Sequence, residues 1–429
     1  MKRYESYKDS GVEWIGEIPS HWEVSKVKYQ FDISGGGTPS TEKDEYWEGT
    51  IPWVSSKDMK SRYIYDTIDH ITPLGLQNST CSLVDVGSII IVVRSGILQR
   101  TIPVGINKVP LVVNQDQKVL SSRGDVLEEF FYYFVSGNEI SLLTDWMKEG
   151  TTVESIEMEY LENFPLHFPP SSEQEQIVSF LDEKTSKIDD LIKKKEQKIE
   201  LLREYRTSLI NRVITKGLNP DVPMKDSGVE WIGEIPSHWD IKKLKYVSHI
   251  EYGISPPDTT YNDEGIGSVL VNGPVEYSET DFGYTRSLKW TTEPKKFTDK
   301  GSLLFCLRGS TTGRMNITHD RVSIGRGVCS IISHQNQWYL IYSMFCVRDW
   351  ISGQLSGSTF PSVVKEDVDN FIIPSPPLPE QEQIVSYLDQ KTGEIDSTID
   401  SEKKKIDLLK EYRQSLISSV ITGKIKVVD

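Results

Sequence analysis

Two long stretches of the chain place an apolar residue every three or four positions. Between Ser172 and Thr215 these are Ile177, Leu181, Ile188, Leu191, Leu202, Tyr205 and Leu209, and later Ile384, Leu388, Ile395, Leu409, Tyr412 and Leu416. A 3-4 alternation keeps one stripe of a helix apolar, so both stretches are expected as helices with coiled-coil spacing, interrupted by polar residues near Lys195 and Glu402. Pro169 and Pro170 stop the chain before the first helix, and Pro376, Pro377 and Pro379 do so before the second. Ser172 suits an N-cap, and Gly217 and Gly423 suit the left-handed residue that closes a helix. Each helix is expected to run about 65 Å at 1.5 Å per residue. Elsewhere the apolar positions fall in short β-rich runs punctuated by Gly, Pro and Ser, which predicts mixed α/β regions with many strands. The longest run, Ile89 to Val93, reads as a buried strand and is far short of a membrane span.

The pattern is written twice. DSGVEWIGEIPSHWE at 9–23 returns as DSGVEWIGEIPSHWD at 226–240, EQEQIVSFLDEKTSKID from Glu173 returns as EQEQIVSYLDQKTGEID from Glu380, and LLREYRTSLINRVIT at 201–215 returns as LLKEYRQSLISSVIT at 408–422. The order is A–X–B–A–Y–B, with near-identical A blocks, close B blocks and inserts X and Y that look unlike in detail. Shared frames around divergent inserts imply one structural task and two related but distinct recognition tasks. Two similar apolar stripes pack most economically on each other, and a pseudo-twofold axis across them makes the helices antiparallel. The charged runs KKKEQK (193–198) and EKKKID (402–407) read as solvated faces. The opening repeat reads as a collar that seats each insert against the helices and offers a docking surface to an identical partner subunit. Its candidate docking residues are Trp14, Trp22, Trp231 and Trp239, with Tyr205 and Tyr412 on the helices. His21 and His238, each before a Trp, read as structural.

Composition narrows the class. The 429 residues exceed one ordinary core, and 37% hydrophobic with 10% aromatic content suits globular folding. Forty-eight basic against 63 acidic residues give a net charge of −15, which argues against a simple basic nucleic-acid coat and makes the local field at any contact face decisive. The start, MKRYESYKDSG, has no apolar leader, and Cys81, Cys306, Cys329 and Cys346 form no close pairs, so reduced thiols in a cytoplasmic protein are expected. Chemistry-bearing motifs are missing. LRGSTTGRM lacks the lysine of a phosphate-binding loop, GGGTP reads as a turn, PPSSEQ and PPLPEQ lack the Asn or Asp and the aromatic residue of a methyltransferase motif, and no metal-ligand spacing is visible.

The layout resembles the specificity subunit of type I restriction-modification enzymes over essentially the whole chain. The marks are GVEWIGEIPSHWE near the start, IPWVSSKDM, VVRSGIL, NQDQK and the twice-written PP…EQEQIV…LD helix, although Y lacks IPWVSSKDM. The resemblance implies an α+β fold with two mixed α/β target recognition domains, at 1–168 and 219–375, separated by two long antiparallel coiled-coil helices, at 169–218 and 376–429, in a pseudo-twofold tandem repeat. It implies that each domain reads half of a split double-stranded DNA target. The partners implied are two methyltransferase subunits and, for restriction, two endonuclease/translocase subunits, with no membrane. The chain would hold no cofactor, and S-adenosylmethionine, ATP and Mg2+ would sit on partners.

In each insert an apolar strand ends in an arginine, Arg94 or Arg308, followed by a Gly/Ser/Thr loop, and these with nearby lysines and other polar residues are the candidate DNA contacts. They are Lys57, Lys60, Arg94, Ser95, Gln99, Arg100, Thr101, Gln115 and Lys118 in X, and Arg308, Ser310, Thr311, Thr312, Arg314 and Arg326 in Y. Arg pairs bidentately with guanine O6 and N7, Gln with adenine, and lysines suit phosphates. The competing readings are a coiled-coil scaffold without a DNA role and a self-contained DNA methyltransferase.

Overall fold

The computed structural model describes residues 2–148, 150, 152–280, 282–309, 311–354 and 363–427. The chain divides into two compact units, one of residues 1–196 with 403–429 and one of residues 197–402. Each unit therefore combines one insert with parts of both long helices, α1 (Ser171–Lys216) and α2 (Leu378–Ile421). Among the described residues no helix is long and apolar enough to cross a membrane.

In the first unit the central sheet holds β1 (Phe31–Gly35), β3 (Ile89–Val92), β4 (Val104–Asn107) and β6 (Gln117–Ser122), in the order β1-β6-β3-β4 with Tyr63–Ile64 at the edge. β2 (Trp47–Val54) and β5 (Val112–Val113) form a second layer and pair in parallel, Val113 beside Val54. Alternation along a strand sends neighbouring side chains to opposite faces, which is how the unbroken apolar run of β3 serves two cores. Ile89 and Ile91 face a cluster with Phe130, Phe131, Ile177, Leu181 and Leu416, whereas Ile90 faces Val54, Val113 and Val119 between the layers.

The second unit repeats this order with different side chains. β7 (Ser248–Tyr252), β9 (Leu303–Cys306), β10 (Met315–Ile317) and β12 (Val328–Ser333) form a sheet ordered β7-β12-β9-β10. β8 (Ser268–Val271) and β11 (Val322–Ile324) pair in parallel, Val271 beside Ile324. The inserts, unlike in detail as sequences, thus share one topology. A common pinch point accompanies it. A Cβ on Gly36 would lie 2.0 Å from the Val113 carbonyl oxygen, and one on Gly253 2.1 Å from that of Gly325. Only a residue without a side chain lets the backbone leaving the first sheet strand pass that close.

Each insert is an excursion between two paired strands. Glu23–Lys26 lies antiparallel to Pro165–Phe168, and Asp240–Lys243 to Ile372–Ser375. The strand entering an insert is bonded to the strand leaving it, so the sequence between can vary without moving the stem.

In the second unit Lys198 pairs with Glu402 at 3.0 Å and Arg206 with Asp396 at 3.1 Å, so one helix is numbered upward as the other is numbered downward, and they are antiparallel. The first unit holds the same repeat positions exchanged between copies: Arg413 donates to both carboxylate oxygens of Asp189, at 2.9 and 3.2 Å. The expected apolar stripe is buried at Ile177, Leu181, Ile188, Leu209, Ile384, Leu388, Ile395 and Leu416, whereas Leu191, Tyr205 and Tyr412 are 43%, 58% and 49% exposed and Ile199, Ile399 and Ile406 are buried besides. Leu191 and Tyr205 each stand one residue to the side of the seam, and one residue is a 100° turn around a helix. The charged side chains of the two runs face solvent except Lys195, which is half-buried, and Glu402, which is 3% exposed and held by Lys198.

Candidate nucleic-acid interface

Strand pairing brings the candidate residues of the first insert to one end of the sheets. Gly35 at the end of β1 sits opposite Lys118 in β6, Val92 at the end of β3 sits opposite Gln117, and Val54 and Val113 end the parallel pair side by side. The turn at 36–38, the loop at 55–60, the segment from Arg94 to Thr101 and the turn at 114–116 therefore converge. Asp58 locks the second of these by accepting from Ser55 N at 2.8 Å, Ser55 Oγ at 2.9 Å and Ile68 N at 2.9 Å. Lys57 and Lys60 project exposed from it. Arg94 is held by its backbone, whose N donates to the Asp116 carbonyl at 3.2 Å, and its side chain is exposed.

The second unit builds the same cluster from the ends of β7, β8, β9 and β11. Asn114 N donates to Val54 O at 3.0 Å, and Gly325 N to Val271 O at 2.9 Å. Val93 N donates to Asp116 O, and Leu307 N to Gly327 O, both at 2.9 Å. These bonds align Arg94 with Arg308 and Gln115 with Arg326. Among the described residues Lys57, Lys60, Arg94, Arg100, Arg308 and Arg326 are exposed and make no ion pair or hydrogen bond through their charged groups. On a chain of net charge −15, two clusters of such cations are surfaces able to meet an anion.

Other candidates are partly or wholly committed within the protein. Ser95 caps the short turn that follows it, accepting from Ile97 N at 3.4 Å. Gln99 donates to Glu154 at 3.2 Å, and Thr101 donates to Glu139 at 2.8 Å. Thr312 is 4% exposed and donates to the Gly309 carbonyl at 2.8 Å, so its hydroxyl holds the turn. Thr311 lies 3.8 Å from the Cys306 sulfur, and Arg314 donates to the Ser278 carbonyl at 3.2 Å. Ser310 and much of the Gly/Ser/Thr run after position 354 lie outside the described residues.

The sequence reading missed Thr38, Ser255 and Gln117. Thr38 donates to the Gln115 side-chain oxygen, and Ser255 Oγ accepts from Arg326 N at 3.1 Å. Their signal was present, since each stands two residues after the pinched glycine. Gln117 is fully buried with neither amide atom bonded, at the base of the first cluster.

The tryptophans of the opening repeat divide. Trp22 and Trp239 are both 0% exposed, which removes them from any docking surface. The Trp22 indole donates to Glu173 at 3.1 Å, and His21 meets the same carboxylate at 2.8 Å. Trp239 and His238 meet Glu380 at 2.8 Å each. Glu173 and Glu380 lie in the first turns of α1 and α2, where a carboxylate also favours the helix dipole. The same indoles back the other helix's end. A Cβ on Gly423 would lie 2.3 Å from Pro19 and 3.3 Å from Trp22, and one on Gly217 3.0 Å from Trp239. Both glycines have φ of 72°, which closes each helix. Each copy of the opening repeat therefore clamps the start of one helix and the end of the other, which explains why the stretch occurs twice almost unchanged. Trp14 is partly exposed and donates to Asp145 at 2.8 Å, and Trp231 is partly exposed.

Among the described residues no group of His, Cys, Asp and Glu is arranged to hold a metal ion, and all four cysteines are free and buried.

Comparison with known proteins agrees with this geometry. The family described as the type I restriction modification DNA specificity domain matches residues 19–201 and 236–411, one match per half. The MjaIX specificity subunit of a type I restriction enzyme from Methanocaldococcus jannaschii is 27% identical over 430 residues, covering 96% of this chain and 95% of the relative. The EcoR124I/EcoR124II specificity subunit from Escherichia coli is 36% identical over 180 residues, covering 41% and 42%. Among solved structures, a chain from a study of type I R-M complex assembly aligns with a TM-score of 0.76 at 20% identity, covering 95% of this chain and 99% of that one. The HsdS subunit from Thermoanaerobacter tengcongensis aligns with a TM-score of 0.55 at 19% identity, covering 95% and 98%.

Proposed function

The chain belongs to the type I restriction modification DNA specificity family, and from that premise we propose that each unit reads one half of a split double-stranded DNA sequence through its own loop cluster. As a specificity subunit it is the DNA-recognition component of its system and not the catalytic one. One observation carries the reading: two inserts with a common strand order present exposed, unpaired cations at the same strand ends while differing in the side chains between them. A common frame positions both halves on the duplex, and differing side chains select different bases.

The long helices dock two methyltransferase subunits and set the gap between the half-sites. The exposed Tyr205 and Tyr412, at matching repeat positions, offer each methyltransferase subunit the same kind of docking residue, and two endonuclease/translocase subunits join for restriction. S-adenosylmethionine, ATP and Mg2+ bind to these partners. Because the chain is acidic overall, the partners also supply much of the positive surface along the DNA.

The test is footprinting and methylation mapping of the complex reconstituted with methyltransferase subunits on a random-sequence library. The wild type is expected to protect a split site, and replacing residues 24–168 with another insert to change one half only. Changes in both halves would refute independent readers, and no protection would favour a scaffold without a DNA role. Methyl transfer by the chain alone would revive the self-contained methyltransferase.

A further inference from the structure

Gln115 and Arg326 occupy one structural position in two units that otherwise differ in detail. Each is the second residue after the short strand that pairs in parallel, β5 or β11. The residue before each is bonded to the neighbouring strand, Asn114 N to Val54 O and Gly325 N to Val271 O. The residue after each accepts at its carbonyl, Asp116 from Val93 N and Gly327 from Leu307 N. The backbone is thus clamped on both sides while the side chain stays exposed.

A hydroxyl from the turn after the pinched glycine touches each residue, and in the first unit it orients the side chain. Thr38 Oγ1 donates to Gln115 Oε1, which sets the amide with its NH2 turned away from the hydroxyl. In the second unit Ser255 Oγ accepts from Arg326 N at 3.1 Å and donates to Asn272 Oδ1 at 3.0 Å. The Arg326 guanidinium makes no ion pair among the described residues. A fixed backbone under an exposed polar side chain suits base recognition, because only the side chain itself remains to be ordered on binding.

The chemistry at this position changes between units, whereas its neighbour does not. Arg94 and Arg308 are the same residue at the same strand end, as suits a shared task such as holding a phosphate. A neutral amide in one unit and a guanidinium in the other match two different base edges: Gln bonds adenine N6 and N7, Arg bonds guanine O6 and N7. We infer that the second residue after the parallel-paired strand determines specificity in each unit, with Gln115 reading an adenine and Arg326 a guanine. This rests on the split-site reading above.

The test compares the wild type with Gln115→Arg and Arg326→Gln in the complex with methyltransferase subunits, selecting bound sequences from a random library. Gln115→Arg is expected to change the preference at one base pair of one half-site from A·T to G·C, by roughly 5- to 150-fold, and to leave the other half-site unchanged. Arg326→Gln is expected to do the converse in the other half. Both side chains are exposed, so unfolding curves should match the wild type. Unchanged preference, or an equal loss across all sequences, would overturn the assignment. A wild type that selects no split site would instead defeat the underlying reading, so the two failures are told apart by the unaltered protein.

Discussion

Beneath the first loop cluster lies Gln117, buried with an unbonded amide, and at the matching position of the second unit lies Val328, equally buried and wholly apolar. The units differ again in the helical segments that follow the sheets. Asp145 accepts from Trp14 and is followed by Trp146, which is 0% exposed, whereas Asp349 accepts from Asn211 at 3.0 Å and is followed by Trp350, 37% exposed. The strand order is nevertheless the same. What survives between the units is backbone geometry: the pinched glycines, the parallel pair and the carbonyls that fix positions 115 and 326. Core side chains tolerate exchange so long as volume and polarity pattern are kept. The clamp on the long helices keeps its side chains as well: in each unit one glutamate carboxylate meets the His and Trp of the opening repeat, and that Trp backs the glycine closing the other helix.

That contrast predicts a graded set of responses. Trp22→Ala and Trp239→Ala should each cost about 3–5 kcal/mol, alike in both units, as a fully buried aromatic does. Denaturant unfolding measures it, and a variant that unfolds normally but fails to bind a partner would return these residues to a docking role. Gln117→Val, which makes the first unit resemble the second, should stabilise by about 1 kcal/mol, since an unbonded buried amide gives way to a methyl pair. Destabilisation would mean that the amide has a partner, such as a bound water.

The smallest effect at neutral pH concerns His167, 1% exposed, where the second unit has Pro374 at the same strand position. Burial holds the imidazole below its ordinary value near 6.5, reinforced by Lys8 and opposed by its bond to the Ser10 carbonyl. A depressed folded-state value means that the contribution is fully present above 6.5 and is lost as pH falls below it, because the unfolded chain takes up a proton that the buried ring resists. Acid titration of unfolding should show the first unit weakening before the second below that pH, and His167→Leu should remove the difference. Parallel losses in both units would show that His167 does not set the onset.

Much of the architecture was legible along the chain. The tandem frame, the two long helices and their closing glycines follow from the repeated motifs, the apolar period and the left-handed preference of glycine. The convergence of Lys57, Arg94, Gln115 and Lys118 was only half visible. A strand ending in Arg can be read from composition, but which strand ends meet depends on pairings between residues far apart in sequence.

By itself the sequence determined that one polypeptide carries two frames, two long apolar stripes and two divergent inserts, because repetition and periodicity are local properties. Tertiary structure alone decided that the inserts share a topology, that Trp22 and Trp239 are clamps and not docking surfaces, and that Gln115 and Arg326 are counterparts. The physical reason is that burial and equivalence arise from long-range packing and backbone pairing, where a carbonyl can serve any residue and so leaves no trace in residue type.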